Sequence, residues 1–253
     1  MTPWAVALIT FACVYGGARA GMWLQGRLPE HHLREESKDM VRLVTGLIAT
    51  LSALVLGLLI ASAKTSFDAV NEGFKESAAK VILIDRALAQ YGPEAKDLRA
   101  AVRDAYAARI RQLFSGDRSY GKAGDSLQGP ASAEVLEQRI LALTPASDLQ
   151  RAQKARALEL SNEIAQARWM SFEEVGTSTP PAFLAVLVFW LAVMFASFGL
   201  FAPRNRTTIT ALVIGALSVS TAIFLIEEMS DPIGGVIAIS SKPMVNALGM
   251  LGK

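Results

Sequence analysis

The chain has 253 residues, of which 52% are hydrophobic and 19% charged, and its mean hydropathy is +0.34. A soluble domain carries about 25% charged residues, so this balance lies toward a membrane protein. A net charge of +2, with no basic run interleaved by aromatics, speaks against a nucleic-acid partner.

The first apolar segment, residues 1–24, is free of charge up to Ala18 and resumes after Arg19. A bilayer core of ~30 Å needs about 20 apolar residues at 1.5 Å each, so this segment reads as a first transmembrane helix. Ala18-Arg19-Ala20 also has the small-x-small form of a signal-peptide cleavage site. Met1-Thr2-Pro3-Trp4 lacks the basic residues of a signal peptide, and Arg19 can extend its guanidinium to the interface, so a retained span is favoured. A short polar loop, 25–42, follows. It holds His31 and His32, which cannot share a helix face. With Cys13 the one cysteine, neither a metal site nor a disulfide framework is expected, and no cofactor is expected.

Leu43 to Ala63 is 21 residues without a charge, a second span. Ala49, Ala53, Gly57 and Ala61 form a four-residue ladder along it. Small residues at that spacing allow close backbone approach in lipid, so they mark a helix-packing face.

Residues 64–181 hold 16 basic and 16 acidic side chains and read as a water-facing helical domain. Phe67, Phe74, Val81 and Leu88 recur every seven residues, with Val70, Ile84 and Tyr91 on a companion stripe. No break separates this seam from the second span, so residues 41–90 are expected to form one helix of about 75 Å. Tyr91-Gly92-Pro93 stops it. A helix over 94–114, a Gly- and Ser-rich loop over 115–132, a short helix over 133–142 and a long helix from Asp148 to Val175 follow. Thr177 to Pro181 reads as a hinge. A helical bundle packing with itself or with other copies is the plain expectation for this domain, and a sensing or gating module the sharper one.

Residues 182–202 form the third span, 203–206 a short basic loop, and 207–229 the fourth span. Thr210, Ser218, Ser220 and Thr221 place hydroxyls in the last span, and Glu227, Glu228 and Asp231 gather at its end before Pro232 and Gly235. Carboxylates are disfavoured at a helix C-terminus, so this cluster is a candidate pore mouth that would attract cations, against the plain alternative of a helix end and turn. Residues 230–253 are apolar but too short to span, an interfacial or re-entrant segment. Lys and Arg in the two short loops place those loops in the cytoplasm, with both termini and the central domain outside. No nucleotide loop, nucleophile elbow or zinc-protease helix motif is present, so no enzyme is expected. The fold class is an all-α membrane protein with four transmembrane helices and a helical extramembrane domain inserted between helices 2 and 3.

Arg27-Leu28-Pro29-Glu30-His31-His32-Leu33, Gly46 through Ala61 with Leu56-Gly57-Leu58-Leu59, Tyr91-Gly92-Pro93-Glu94-Ala95 and Phe201-Ala202-Pro203-Arg204-Asn205 together resemble the bestrophin-like domain family of bacterial membrane proteins. So does Glu228-Met229-Ser230-Asp231-Pro232-Ile233-Gly234-Gly235, where Ile233 stands in place of the family's usual aromatic residue. The resemblance covers nearly the whole chain. It implies a multi-pass bacterial inner-membrane protein, a homo-oligomer in the lipid bilayer, with inorganic ions as partners by distant similarity to bestrophin anion channels. Two features differ from bestrophins: the second span has no aromatic residue, and the loop charges put the central domain outside rather than in the cytosol.

Overall fold

The computed structural model describes residues 2–29, 35–114, 128–175, 181–230, 232 and 235–253. The helices in chain order are α1 (Pro3–Gln25), α2 (Glu35–Tyr91), α3 (Lys96–Phe114), α4 (Gln128–Leu141), α5 (Asp148–Val175), α6 (Pro181–Phe201), α7 (Arg206–Met229) and α8 (Lys242–Met250), with no strand among the described residues. Four of them, α1, α2, α6 and α7, are long and apolar enough to cross a membrane.

Helix ends follow local chemistry. Pro3 opens α1 and Pro181 opens α6, where a missing N–H removes nothing the helix would use. Asn205 caps α7, its Oδ1 accepting the Thr208 N–H at 2.7 Å. The polar loop predicted for 25–42 is shorter, because α2 already begins at Glu35. Glu35 with Lys38 (3.0 Å) and Asp39 with Arg42 (3.1 Å) pair one turn apart and support those early turns. The helix expected to run without a break through residues 41–90 is present as α2 and ends at Tyr91. Gly92 has φ 131°, a conformation that disfavours any side chain, and a Cβ there would lie 2.6 Å from Glu94 Oε2. A 3₁₀ turn at Pro93–Ala95 then leads into α3. The loop expected over 115–132 ends earlier, since α4 starts at Gln128 and accommodates Pro130 in its first turn. The rest of that loop, and the hinge residues up to Pro180, lie outside the described residues.

The chain divides into two compact units, Met1–Phe67 with Ser178–Asp231 and Asp68–Thr177 with Pro232–Lys253. In the first, α1 packs along both α6 and α7. Its core joins Val14 and Ala18 of α1 to Leu187 and Leu191 of α6 and to Ala216 and Ile223 of α7, with Leu59 and Ala63 of α2 at its side. In the second, the heptad positions Val81, Ile84, Leu88 and Tyr91 meet Leu98, Val102, Tyr106 and Ile110 of α3, Ile140 of α4, and Leu160 and Ile164 of α5. Lys80 ties α2 to α5 through Glu163 (3.1 Å) while also holding Glu76 (2.8 Å). The segment predicted as interfacial gains a protein partner here, since α8 buries Met244 and Ala247, and Leu251 beyond it, in this second core.

Candidate functional site

The ladder Ala49, Ala53, Gly57 and Ala61 runs along one side of α2. Ala49 is half-buried and the other three are exposed. A Cβ added to Gly57, or to Gly46 on the same side, would meet no atom within 4 Å. The side of α2 that does turn inward carries Thr45, Ser52, Leu59 and Ala63, while Leu54 is 70% and Leu58 68% exposed. α2 is the least covered of the four apolar helices, with open space beside Gly46 and Gly57 on its small-residue side.

Close backbone approach inside the chain occurs between α1 and α6 instead. A Cβ on Gly17 would collide with the Ala192 carbonyl, one on Gly21 with that of Ala196, and one on Gly199 with that of Ala18. Gly17 and Gly21 are four residues apart, the spacing that lets two helices meet at van der Waals distance in lipid. The Gly17-x-x-x-Gly21 spacing inside an apolar segment is the sequence signal that could have found this contact. At the end of this pair, Arg204 donates to the Met22 carbonyl and, at 3.3 Å, to Gln25 Oε1, while Gln25 Nε2 donates to the Ala202 carbonyl at 3.3 Å. A cation at a helix C-terminus complements the dipole and satisfies a carbonyl that has no helical partner. The Phe201-to-Asn205 motif is thus a double cap, with Arg204 ending α1 and Asn205 starting α7.

On α7, Ser218 and Thr221 hydrogen-bond back to Ile214 (2.9 Å) and Leu217 (2.8 Å), which satisfies their hydroxyls locally. Thr210 is exposed. Ser220 reaches across to the Ala7 carbonyl at 2.5 Å, and the Trp4 and Phe224 rings lie 4.5 Å apart, so α1 and α7 run antiparallel in contact. Of the acidic cluster, Glu227 is half-buried and Glu228 is 2% exposed at the last turn of α7. Asp231 lies outside the described residues. Pro232 and Gly235 belong to the second unit, where the Pro232 carbonyl accepts the Ile239 N–H at 2.9 Å.

The most completely built polar cluster is one the sequence did not single out. Asp85, 1% exposed on α2, takes two hydrogen bonds from Arg99 of α3, at 2.8 and 2.9 Å, and a third from the Gly252 N–H at 3.2 Å. Arg99 and Arg86 also donate to the Lys253 main-chain oxygen, at 2.9 and 3.3 Å. Burial pushes the Asp85 carboxyl up, but the Arg99 and Gly252 hydrogen bonds and the Arg99 and Arg86 charges outweigh it and hold the group below its usual range. The arrangement fastens the carboxy-terminal residues to the α2–α3 turn. Its faint sequence signal was a carboxylate beside the buried-stripe residue Ile84.

No group of three His, Cys, Asp or Glu side chains that could hold a metal occurs among the described residues, and His31 and His32 lie outside them. No curated protein and no solved structure matches the chain. The model of the Bestrophin-like domain matches residues 12–244, nearly the whole chain, in keeping with the four apolar helices and the motifs above. The chain belongs to the bestrophin-like domain family.

Proposed function

We propose that the chain is one subunit of a homo-oligomeric, ion-conducting membrane protein whose copies associate through α2. The small-residue side of α2 carries this proposal. In lipid, helices associate where small residues allow close approach; Ala53, Gly57 and Ala61 are exposed among the described residues, with open space beside Gly57. The ions would pass along the axis surrounded by the α2 helices. Glu227 and Asp231 would stand at the mouth and favour cations, whereas Glu228, 2% exposed, is buried within the subunit. Residues 64–181 form a helical module inserted between the second and third spans. The short loops face the cytoplasm of a bacterial inner membrane, in line with the Lys and Arg of residues 25–42 and 203–206. No catalytic chemistry is involved.

A second reading has its own support. The helical module has a core separate from that of the apolar helices, which suits a non-conducting, membrane-anchored scaffold or sensor acting through residues 64–181. Purified full-length protein in liposomes separates the two. Conduction predicts ion flux that changes in selectivity or rate with Glu227→Gln. A scaffold predicts no flux under any ionic gradient.

A further inference from the structure

Arg19 and Arg27 are the charged residues of positions 1–29. Arg19 stands six residues before the end of α1 at Gln25, about 9 Å of helix inside the span. It is exposed, and among the described residues it takes part in no hydrogen bond, ion pair or ring contact. A guanidinium at that depth in lipid is costly unless an anion meets it. Trp23 lies one turn further along the same face, 57% exposed, and the Arg27 guanidinium sits 3.8 Å from the centre of its ring. The outward face at this end of α1 thus carries cation, aromatic ring and cation at four-residue spacing.

The acids of the first unit leave this face uncompensated. α6 has no charged residue. Glu227 and Glu228 lie at the far end of α7, 21 residues or about 31 Å from Arg206, where Phe224 meets Trp4 near the start of α1. Of the carboxylates that open α2, Glu35 is held by Lys38 and Asp39 by Arg42. Glu30, three residues beyond Arg27, lies outside the described residues. The weight of the face therefore falls on Arg19, whose depth in the span no carboxylate of positions 1–29 shares.

We propose that Arg19, Trp23 and Arg27 bind the phosphate of one anionic phospholipid in the leaflet where α1 ends. Guanidinium forks match phosphate oxygens in geometry and charge, and an exposed Trp beside them sets the headgroup level. A zwitterionic headgroup brings its own cation to a site already holding two, so a lipid of net negative charge is preferred. Toward mid-span the same face carries Ala12 and Gly16, both exposed and with open space at Gly16, which leaves room for an acyl chain. The site rests on the membrane assignment of α1, α6 and α7 but not on ion conduction.

The test is lipid retention by the full-length protein, extracted from vesicles of equal phosphatidylcholine and phosphatidylglycerol and weighed with its bound lipid by native mass spectrometry. Wild type should keep phosphatidylglycerol several-fold over phosphatidylcholine. Arg19→Gln and Trp23→Ala should each lower that preference several-fold, and Arg27→Gln, beyond the helix end, repeats the test without touching the span. Arg111→Gln removes an equal charge from an exposed position on α3 and should leave the preference unchanged. Equal retention of the two lipids by wild type overturns the proposal, and so does wild-type preference in both arginine variants. Displacement of the lipid by excess inorganic phosphate also overturns it, because the site would then serve a free anion. With Cys13→Ser as background, an Arg19→Cys disulfide between copies would place a second subunit on this face and overturn it too. Protein that enters no vesicle refutes the membrane assignment first, and the lipid site falls with it.

Discussion

Arg99 grips Asp85 with two parallel hydrogen bonds, at 2.8 and 2.9 Å, across the turn that joins α2 to α3. Because Asp85 is 1% exposed and also accepts the Gly252 N–H, this pair holds three stretches of chain at one point. A buried ion pair is weak evidence for net stability, but removing one partner leaves an uncompensated charge or donor.

Asp85→Ala should therefore destabilise the helical unit by about 3–5 kcal/mol and loosen the last residues. Hydrogen exchange on the full-length protein is the measurement, with faster exchange expected at Gly252 than in α5.

The same pair sets an acid response. The Asp85 carboxyl titrates below its usual range in the folded chain, so its contribution is fully present above the unfolded value of about 3.9 and is lost as pH falls through the lower folded value. Wild type should lose stability below about pH 4, whereas Asp85→Asn, which cannot ionise, should show a flatter acid limb. Denaturant midpoints measured between neutral and acid pH test this, and equal slopes for the two proteins would contradict it.

Gly92→Ala tests the turn itself. The φ of 131° makes a side chain strained there, while the Glu94 carboxylate can swing aside, with an expected loss of about 1 kcal/mol or more. Thermal unfolding of the variant should show a lowered midpoint. An unchanged midpoint would mean that the turn relaxes at no cost.

Gly21→Leu and Gly57→Leu should differ in kind. At Gly21 a side chain meets the α6 backbone, while at Gly57 it meets nothing in its own chain. Gly21→Leu should separate α1 from α6 and lower the yield of folded protein. Gly57→Leu should preserve the subunit's fold and shift light-scattering mass toward smaller assemblies, because it thickens the side on which copies are proposed to pack.

Much of this architecture was legible because its signals are long. Four apolar runs, a heptad stripe from Val81 to Tyr91 and the Tyr91-Gly92-Pro93 stop each draw on many residues or on a backbone conformation that few residues tolerate. What was harder to read depends on partners distant in sequence. Gly17 and Gly21 gain meaning only against Ala192 and Ala196, and Asp85 only against Arg99 and Gly252. Met244 and Ala247 looked like lipid-facing residues until a helical core lay beside them. Apolar periodicity tells which side of a helix avoids water but not whether protein or lipid covers it, so the Ala49-to-Ala61 spacing raises the expectation of a packing face without naming a partner.

Ion flux through liposomes holding wild-type protein or Gly57→Leu, paired with the mass of each assembly, tests the proposed function most directly. An oligomer closed through α2 predicts wild-type flux that falls together with assembly size in Gly57→Leu. Wild-type protein that is inserted, folded and oligomeric yet passes no cation or anion under any gradient would contradict it.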